Sequence, residues 1–293
     1  MEEELNPPAI KIDNVSYSYD SVANSIENIN LSIADNDFIA IIGQNGCGKS
    51  TLLKNITGLL RPNRGEIFIR GKNSRGLSVS AISREIGFVM QNPDAQLFTD
   101  TVYREVSFGL RNLHFSESEI RSRTETALCE AGLEGQRDAF PQALNRADRA
   151  KTVIASVLAM GCRIIILDEP DTGQDYRGSR RVMDIAKRLH AQGYTIIFVT
   201  HNMSLAAEYS RRLIVMSGKG ILMDGSPREI FYRTEELAIA RIIPPQIVRL
   251  SLELRKELEL KLGLEHERDL NALSAVELGQ ALLRKQHEET NNR

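Results

Sequence analysis

Residues 39–51, Ile39-Ala40-Ile41-Ile42-Gly43-Gln44-Asn45-Gly46-Cys47-Gly48-Lys49-Ser50-Thr51, read as a buried strand, a glycine-rich turn and the opening of a helix. From Gly43 to Ser50 the turn matches G-x-x-x-x-G-K-[ST] at every fixed position, in the strand-to-helix context that this pattern requires. Glycine lets successive backbone N–H groups turn inward with no Cβ in the way. Gly43, Asn45, Gly46, Cys47, Gly48 and Thr51, with the helix N-terminus, are therefore expected to cradle a polyphosphate. Lys49 would add a point charge near the outer phosphates, and the Ser50 hydroxyl would reach a Mg²⁺ bridging the β- and γ-oxygens. The expected ligand is a nucleoside triphosphate.

Composition narrows the setting. A chain of 293 residues has length for one or two domains. The formal net charge of -2 gives no global attraction to nucleic acid. Cys47, Cys129 and Cys162 are too few and too scattered for a disulfide framework or a zinc site, which points to a reducing compartment. Cys47 reads as a small residue of the loop, although an exposed thiol at a helix N-terminus would be reactive. No run of 18 apolar residues occurs and the opening MEEELNPPAI is acidic, so a soluble chain is expected, with any membrane span supplied by another protein.

In chain order, Ile10 to Tyr19 and Ile26 to Ile33 alternate apolar and polar residues, which predicts an antiparallel β-layer ahead of the loop. Tyr19 at the strand end serves either packing or stacking on an aromatic base. A helix is predicted from Ser50 to Leu60, ending near Gly58, then a strand from Glu66 to Arg70 and another from Ile86 to Gln91. Ser116 to Glu119 is a capping box, and Ala150 to Met160 is a helix closed by Gly161. Residues of about 95–160 thus form a helical insert in an α/β domain. The apolar run ending in Asp168, Glu169 and Pro170 suits a central parallel strand whose acidic pair emerges at its carboxyl end, where open α/β sheets place ligands. Thr195 to Thr200 is a second such strand and delivers His201 to the same edge. Arg212 to Met216 and Gly220 to Asp224 form a hairpin turning through Gly218-Lys219-Gly220. Beyond Ser226 the chain is helical, broken at Pro244-Pro245 and continuing over Gln246 to Leu262 and Ser274 to Glu289. These tail helices either cover their own domain or form a dimerisation surface.

A phosphate loop, a glutamine at a strand end, an acidic pair and a histidine, in that order, resemble the ATP-binding subunits of ABC transporters over residues of about 10–230. The fold implied is a P-loop NTPase core with an antiparallel β subdomain, a helical insert and, over 231–293, a helical C-terminal extension. The resemblance implies that Asp168 holds Mg²⁺, that Glu169 polarises the attacking water, and that His201 contacts the γ-phosphate of ATP. It also implies that Gln91 completes the metal shell, that Tyr19 stacks on adenine, and that Asp175 crosses to a second ATPase subunit. The stretch QNPDAQLFTDTVYREVSFG and the tail segments GSPREIF and IIPPQIVRLSLEL are similar to energy-coupling factor (ECF) importers of vitamins or of cobalt and nickel. That narrower likeness implies an integral membrane coupling protein, a substrate-binding membrane subunit, no nucleic acid, and a place on the cytoplasmic face of the cell membrane.

One motif departs from the family. Where LSGGQ or LSRGD is usual, the chain reads Leu144-Asn145-Arg146-Ala147-Asp148. In the family this turn caps the nucleotide of the opposite subunit. Asn145 lacks the expected serine hydroxyl, and Ala147 adds a methyl group and, should its φ be positive, backbone strain. Asp171 stands where threonine is common. Two rivals therefore stay open: an asymmetric or non-hydrolysing ABC subunit, and a soluble ABC ATPase acting outside transport.

Overall fold

The computed structural model describes residues 7–20, 23–262 and 270–291; the acidic residues 1–6, and 263–269 of the tail, lie outside them. In chain order the strands are β1 (Ile10–Tyr17), β2 (Ile26–Ile33), β3 (Phe38–Gly43), β4 (Arg64–Ile69), β5 (Lys72–Asn73), β6 (Ile86–Val89), β7 (Ile164–Asp168), β8 (Thr195–Val199), β9 (Arg212–Ser217) and β10 (Gly220–Gly225). The helices are α1 (Lys49–Ile56), α2 (Val79–Ile82), α3 (Val102–Asn112), α4 (Glu117–Ala131), α5 (Arg146–Met160), α6 (Tyr176–Ala191), α7 (Met203–Tyr209), α8 (Pro227–Phe231), α9 (Thr234–Ile239), α10 (Gln246–Leu262) and α11 (Ala275–Asn291).

Two sheets result. The antiparallel one runs β2-β1-β4-β5, as the alternation predicts, and the larger one runs β10-β9-β3-β8-β7-β6. Within the larger sheet β3 pairs parallel with β8 and β9, and β7 parallel with β6 and β8; only the β9–β10 hairpin is antiparallel. Strands covered on both faces have no polar side to display, which is why β3, β7 and β8 are buried at every residue.

The two-residue period of those strands builds two cores. Ile39, Ile41, Ile164, Ile166, Ile197 and Val199 point toward α1 and the antiparallel sheet, joining Ile10, Ile12, Ile29 and Leu52. Their neighbours Ala40, Ile42, Ile165, Leu167, Ile196 and Phe198 point the other way, into a layer that includes Val106, Leu128, Ile154 and Val182 of the helices. A one-residue slip in any of these strands would exchange the two sets of side chains, so register is held by burial on both sides.

Most element limits follow the sequence, with instructive exceptions. The capping box at Ser116 is present, with Glu119 reaching back to the Ser116 N–H. Helix α5 starts at Arg146, four residues earlier than the apolar pattern indicates, because the Asn145 side chain accepts from the Asp148 N–H and the polar first turn hides the helical period. Strand β6 stops at Val89 because the Gln96 side chain takes over its edge, accepting from Met90 N at 2.8 Å and donating to Phe88 O at 2.9 Å.

The tail is joined to the domain. Val248 is fully buried in the helical layer, the Tyr232 hydroxyl donates to Ala272 O at 2.9 Å, and Arg228 pairs with Glu277 at 2.7 Å. Leu250, Val276 and Leu283 of α10 and α11 remain exposed.

Candidate nucleotide-binding and catalytic site

Helix α1 begins directly on the glycine-rich turn. Gly48 has φ 104°, and a Cβ there would lie 2.4 Å from the Ile26 side chain and 2.6 Å from Ser25 O, so only glycine fits. Lys49 is buried, and its ammonium donates to Gly43 O at 2.8 Å and Gln44 O at 2.9 Å, which folds the loop around the charge. Burial lowers the Lys49 pKa, opposed by Cys47, Glu169 and Asp168 nearby. The Cys47 thiol is also buried, and that burial pushes its pKa up, so it is not the exposed thiol considered from sequence.

Strand order assembles the other half of the site. β7 lies between β6 and β8, so the acidic pair at its carboxyl end is flanked by Gln91 from one neighbour and His201 from the other. The Glu169 carboxylate takes three donors: Gln91 Nε2 at 2.6 Å and Thr172 Oγ1 at 2.9 Å reach Oε2, and His201 Nε2 lies 3.0 Å from Oε1. Glu169 itself has φ 49°, a left-handed conformation rare for a side-chain-bearing residue. Asp168 is buried, and its Oδ1 has no hydrogen-bond partner. Burial raises its pKa and the Glu169 charge adds to this, while a hydrogen bond from Ser50 and the charges of Lys54 and Lys49 oppose it. A buried carboxylate oxygen without a partner, beside a serine hydroxyl, is a hard-oxygen donor set of the kind Mg²⁺ takes, so these residues fit that ion.

Asp171, the other sequence oddity, accepts from the Thr200 hydroxyl at 2.8 Å, and that same hydroxyl accepts from Asn202 N at 2.9 Å. The carboxylate thereby fixes the turn that carries His201.

Tyr19, Asn45, Gly46, Gly48, Lys49, Ser50, Thr51 and Glu169 line one cleft of about 510 Å³. The Tyr19 ring is exposed, perpendicular to that of Tyr17 at 5.0 Å between centroids, with its hydroxyl 3.3 Å from Thr51 Oγ1. Asn145, Ala147 and Asp175 do not join it. They line a second cleft of about 330 Å³ with Arg146, Gly173, Gln174 and Arg181. Asp175 caps α6 there, accepting from Gly178 N at 2.6 Å. Ala147 sits inside α5 and is absent from the positive-φ residues, so the strain considered from sequence is not present; its methyl group is simply buried.

Sequence reasoning missed Thr172, Arg146, Ser25 and Lys219 as site residues. Lys219 stands in the Gly218-Lys219-Gly220 turn, but nothing local says that the β9–β10 hairpin reaches the nucleotide cleft.

A glycine-rich loop and an acidic pair on parallel strands of one sheet, backed by a second, antiparallel sheet, define the cassette class of nucleoside triphosphatases. The family model described as ABC transporter matches residues 26–172. A putative ABC transporter ATP-binding protein of Methanosarcina acetivorans is 40% identical over 85% of this chain, but the chain spans only 41% of its length. It spans similarly small shares, 45% and 42%, of two further relatives. The energy-coupling factor transporter ATP-binding protein EcfA2 of Caldanaerobacter subterraneus is 37% identical, with 84% of this chain and 89% of the relative covered. The solved structure of cbiO1 from Clostridium perfringens, described as part of the ABC transporter complex cbiONQ, superposes with a TM-score of 0.73 at 31% identity, covering 88% of this chain and 96% of that one. A dimeric ATP-binding cassette in a post-hydrolysis state with ADP and Pi gives a TM-score of 0.66 at 27% identity over 74% of this chain and 98% of the other. The chain belongs to the ATP-binding proteins of ABC transporters and carries their ATPase cassette.

Proposed function

We propose that this chain binds and hydrolyses Mg²⁺-ATP as one ATPase subunit of an ECF-type importer of vitamins or metal ions. The carrying observation is the Glu169 carboxylate, held by Gln91, Thr172 and His201 and lining the same cleft as Lys49 and Ser50. In this reading the loop N–H groups and Lys49 bind the phosphates, Tyr19 stacks on adenine, and Glu169 accepts the proton of the attacking water. His201 orients Glu169 and would face the γ-phosphate, while Gln91 holds the Glu169 carboxylate. Mg²⁺, held by Ser50, Asp168 and Gln91, would neutralise charge on the β- and γ-oxygens.

The likeness to EcfA2 and cbiO1 supports the ECF assignment, and the likeness to a dimeric cassette supports a second ATPase subunit. The separation of Asn145, Ala147 and Asp175 from the Lys49 cleft agrees with their serving a partner's nucleotide. No helix among the described residues is long and apolar enough to cross a membrane, so coupling and substrate-binding membrane proteins would supply the path, with this chain on the cytoplasmic face. The test is purification from native membranes with mass spectrometry of the bound chains. An integral membrane protein and a second ATPase are expected; ribosomal or DNA-bound material instead would overturn the transport reading.

The tail is proposed to help pair the subunits through the exposed Leu250 and Val276. Leu250→Glu with Val276→Glu is expected to weaken ATP-dependent association, measured by light scattering, with an unchanged melting temperature. Unaltered association would leave these helices as a cover for their own domain.

A second reading is favoured by one observation, the Asn145 and Ala147 pair in the second cleft. A homodimer would use that altered turn at both of its sites. It is expected to hydrolyse ATP slowly, and Asn145→Ser with Ala147→Gly to raise its steady-state phosphate release by up to about 100-fold, the low end of what one hydrogen-bond donor to a developing charge contributes. Equal rates for the wild-type and double-variant homodimers would make the change neutral.

A further inference from the structure

Arg146 stands at the first turn of α5 and lines the second cleft, yet its guanidinium reaches toward the first. Its Nη2 donates to Gln91 O at 2.9 Å. The same group lies close to Gly173: a Cβ on that glycine would sit 3.1 Å from Arg146 Cζ and 3.2 Å from Nε, so a side chain there would push the guanidinium aside by a few tenths of an ångström. Gln91 and Thr172, the neighbour of Gly173, are two of the three groups that hold Glu169. One planar cation therefore bonds the Gln91 carbonyl and packs beside Gly173, next to the two segments whose side chains meet on Glu169 Oε2. Arg149, further along the same turn, adds to these contacts by donating to Leu144 O at 2.8 Å and pairing with Asp94 at 2.8 Å. A planar fork with several fixed donors suits this task in a way a lysine ammonium does not.

We propose that Arg146 is a positioning residue for Glu169, acting through Gln91 and Thr172, so that whatever occupies the second cleft biases the carboxylate of the first. The proposal rests on the reading of Glu169 as general base. A contact made on Arg146 is then passed to Gln91 through its hydrogen bond and to the Thr172 segment through the packing beside Gly173. The altered signature then has a local consequence besides its effect on a partner, since Asn145 and Ala147 flank this arginine.

Two measurements on the full chain test it. The first is hydrogen exchange of the intact protein, read by mass spectrometry without nucleotide. Arg146→Ala is expected to speed amide exchange in both the segment after Gln91 and the segment 171–174, with Arg146→Lys intermediate. Unchanged exchange in both overturns the proposal, whether or not the chain hydrolyses ATP. The second is single-turnover hydrolysis of radiolabelled ATP with protein in excess. Arg146→Ala is expected to slow it about tenfold with ATP affinity unchanged, as misplacement of a reacting group does. Added to Glu169→Gln, the same change is expected to cost less than about twofold, because its effect passes through the carboxylate already removed. An equal loss in both backgrounds overturns the link to Glu169. Because the altered turn alone could silence a homodimer, the hydrolysis is read in the Asn145→Ser, Ala147→Gly background; altered exchange with no hydrolysis there supports the placement of Arg146 and overturns the catalytic reading of Glu169 instead.

Discussion

Glu169→Gln is expected to lower ATP hydrolysis by about 10²- to 10⁴-fold while ATP still binds, the range that a positioned general base contributes. The amide is the same size as the carboxylate, so the cleft keeps its shape, but it cannot take a proton from water. The hydrogen bonds around it can be remade. The oxygen of the new amide can keep the bond to His201 Nε2, while its nitrogen turns toward Thr172 Oγ1, which can accept, and toward Gln91, whose own amide turns over to offer oxygen. Bound ATP that is not cleaved should accumulate as closed pairs of subunits, visible by size-exclusion chromatography. Turnover within a few-fold of the wild-type chain would take Glu169 out of the reaction.

Lys49→Ala is expected to reduce turnover by about 100- to 1,000-fold, the scale of removing one charge-stabilising donor from a pre-organised site. Two losses combine. The ammonium that neutralises the outer phosphates is gone, and the carbonyls of Gly43 and Gln44 lose the donor around which the loop is wrapped. Burial weakens the hold of Lys49 on its proton, and an anionic ligand beside it would restore that hold. Nucleotide titration calorimetry and phosphate release check the two losses separately. Unchanged affinity together with an unchanged rate would reject the phosphate loop as the ligand site.

Much of this site is legible in the amino-acid sequence. The loop, the acidic pair and the capping box at Ser116 are local: a handful of consecutive residues carries both the geometry and the chemistry. The two-sided burial of β3, β7 and β8 is readable as unbroken aliphatic runs. What escapes is whatever depends on which strands become neighbours. Thr172 is one polar residue in a polar segment, and only the fold around the end of β7 gives its hydroxyl a carboxylate to bind. Arg146 resembles the variable position of a degraded motif, because no local pattern says that a guanidinium will lie on Gly173. Ala147 invites an argument from strain that helix α5 removes, since a residue in the first helical turn has an ordinary negative φ. Asp171 reads as stray charge in the sequence, and the buried Thr200 hydroxyl supplies its purpose.

The order β3-β8-β7 carries one more implication. Neighbouring strands are spaced by their backbone ladders at about 4.8 Å, so the strand that launches the phosphate loop and the strand that ends in the acidic pair stand roughly 10 Å apart, with the histidine strand between them. That gap is a property of the sheet and is insensitive to what the chain does elsewhere. Helices α3, α4 and α5 hang between β6 and β7 as an excursion that leaves and returns at fixed points. Away from the first turn of α5, their outer faces can accept insertions, deletions and wholesale change of surface chemistry, and so be refitted to new neighbours, while the spacing of the strands that carry the site stays untouched.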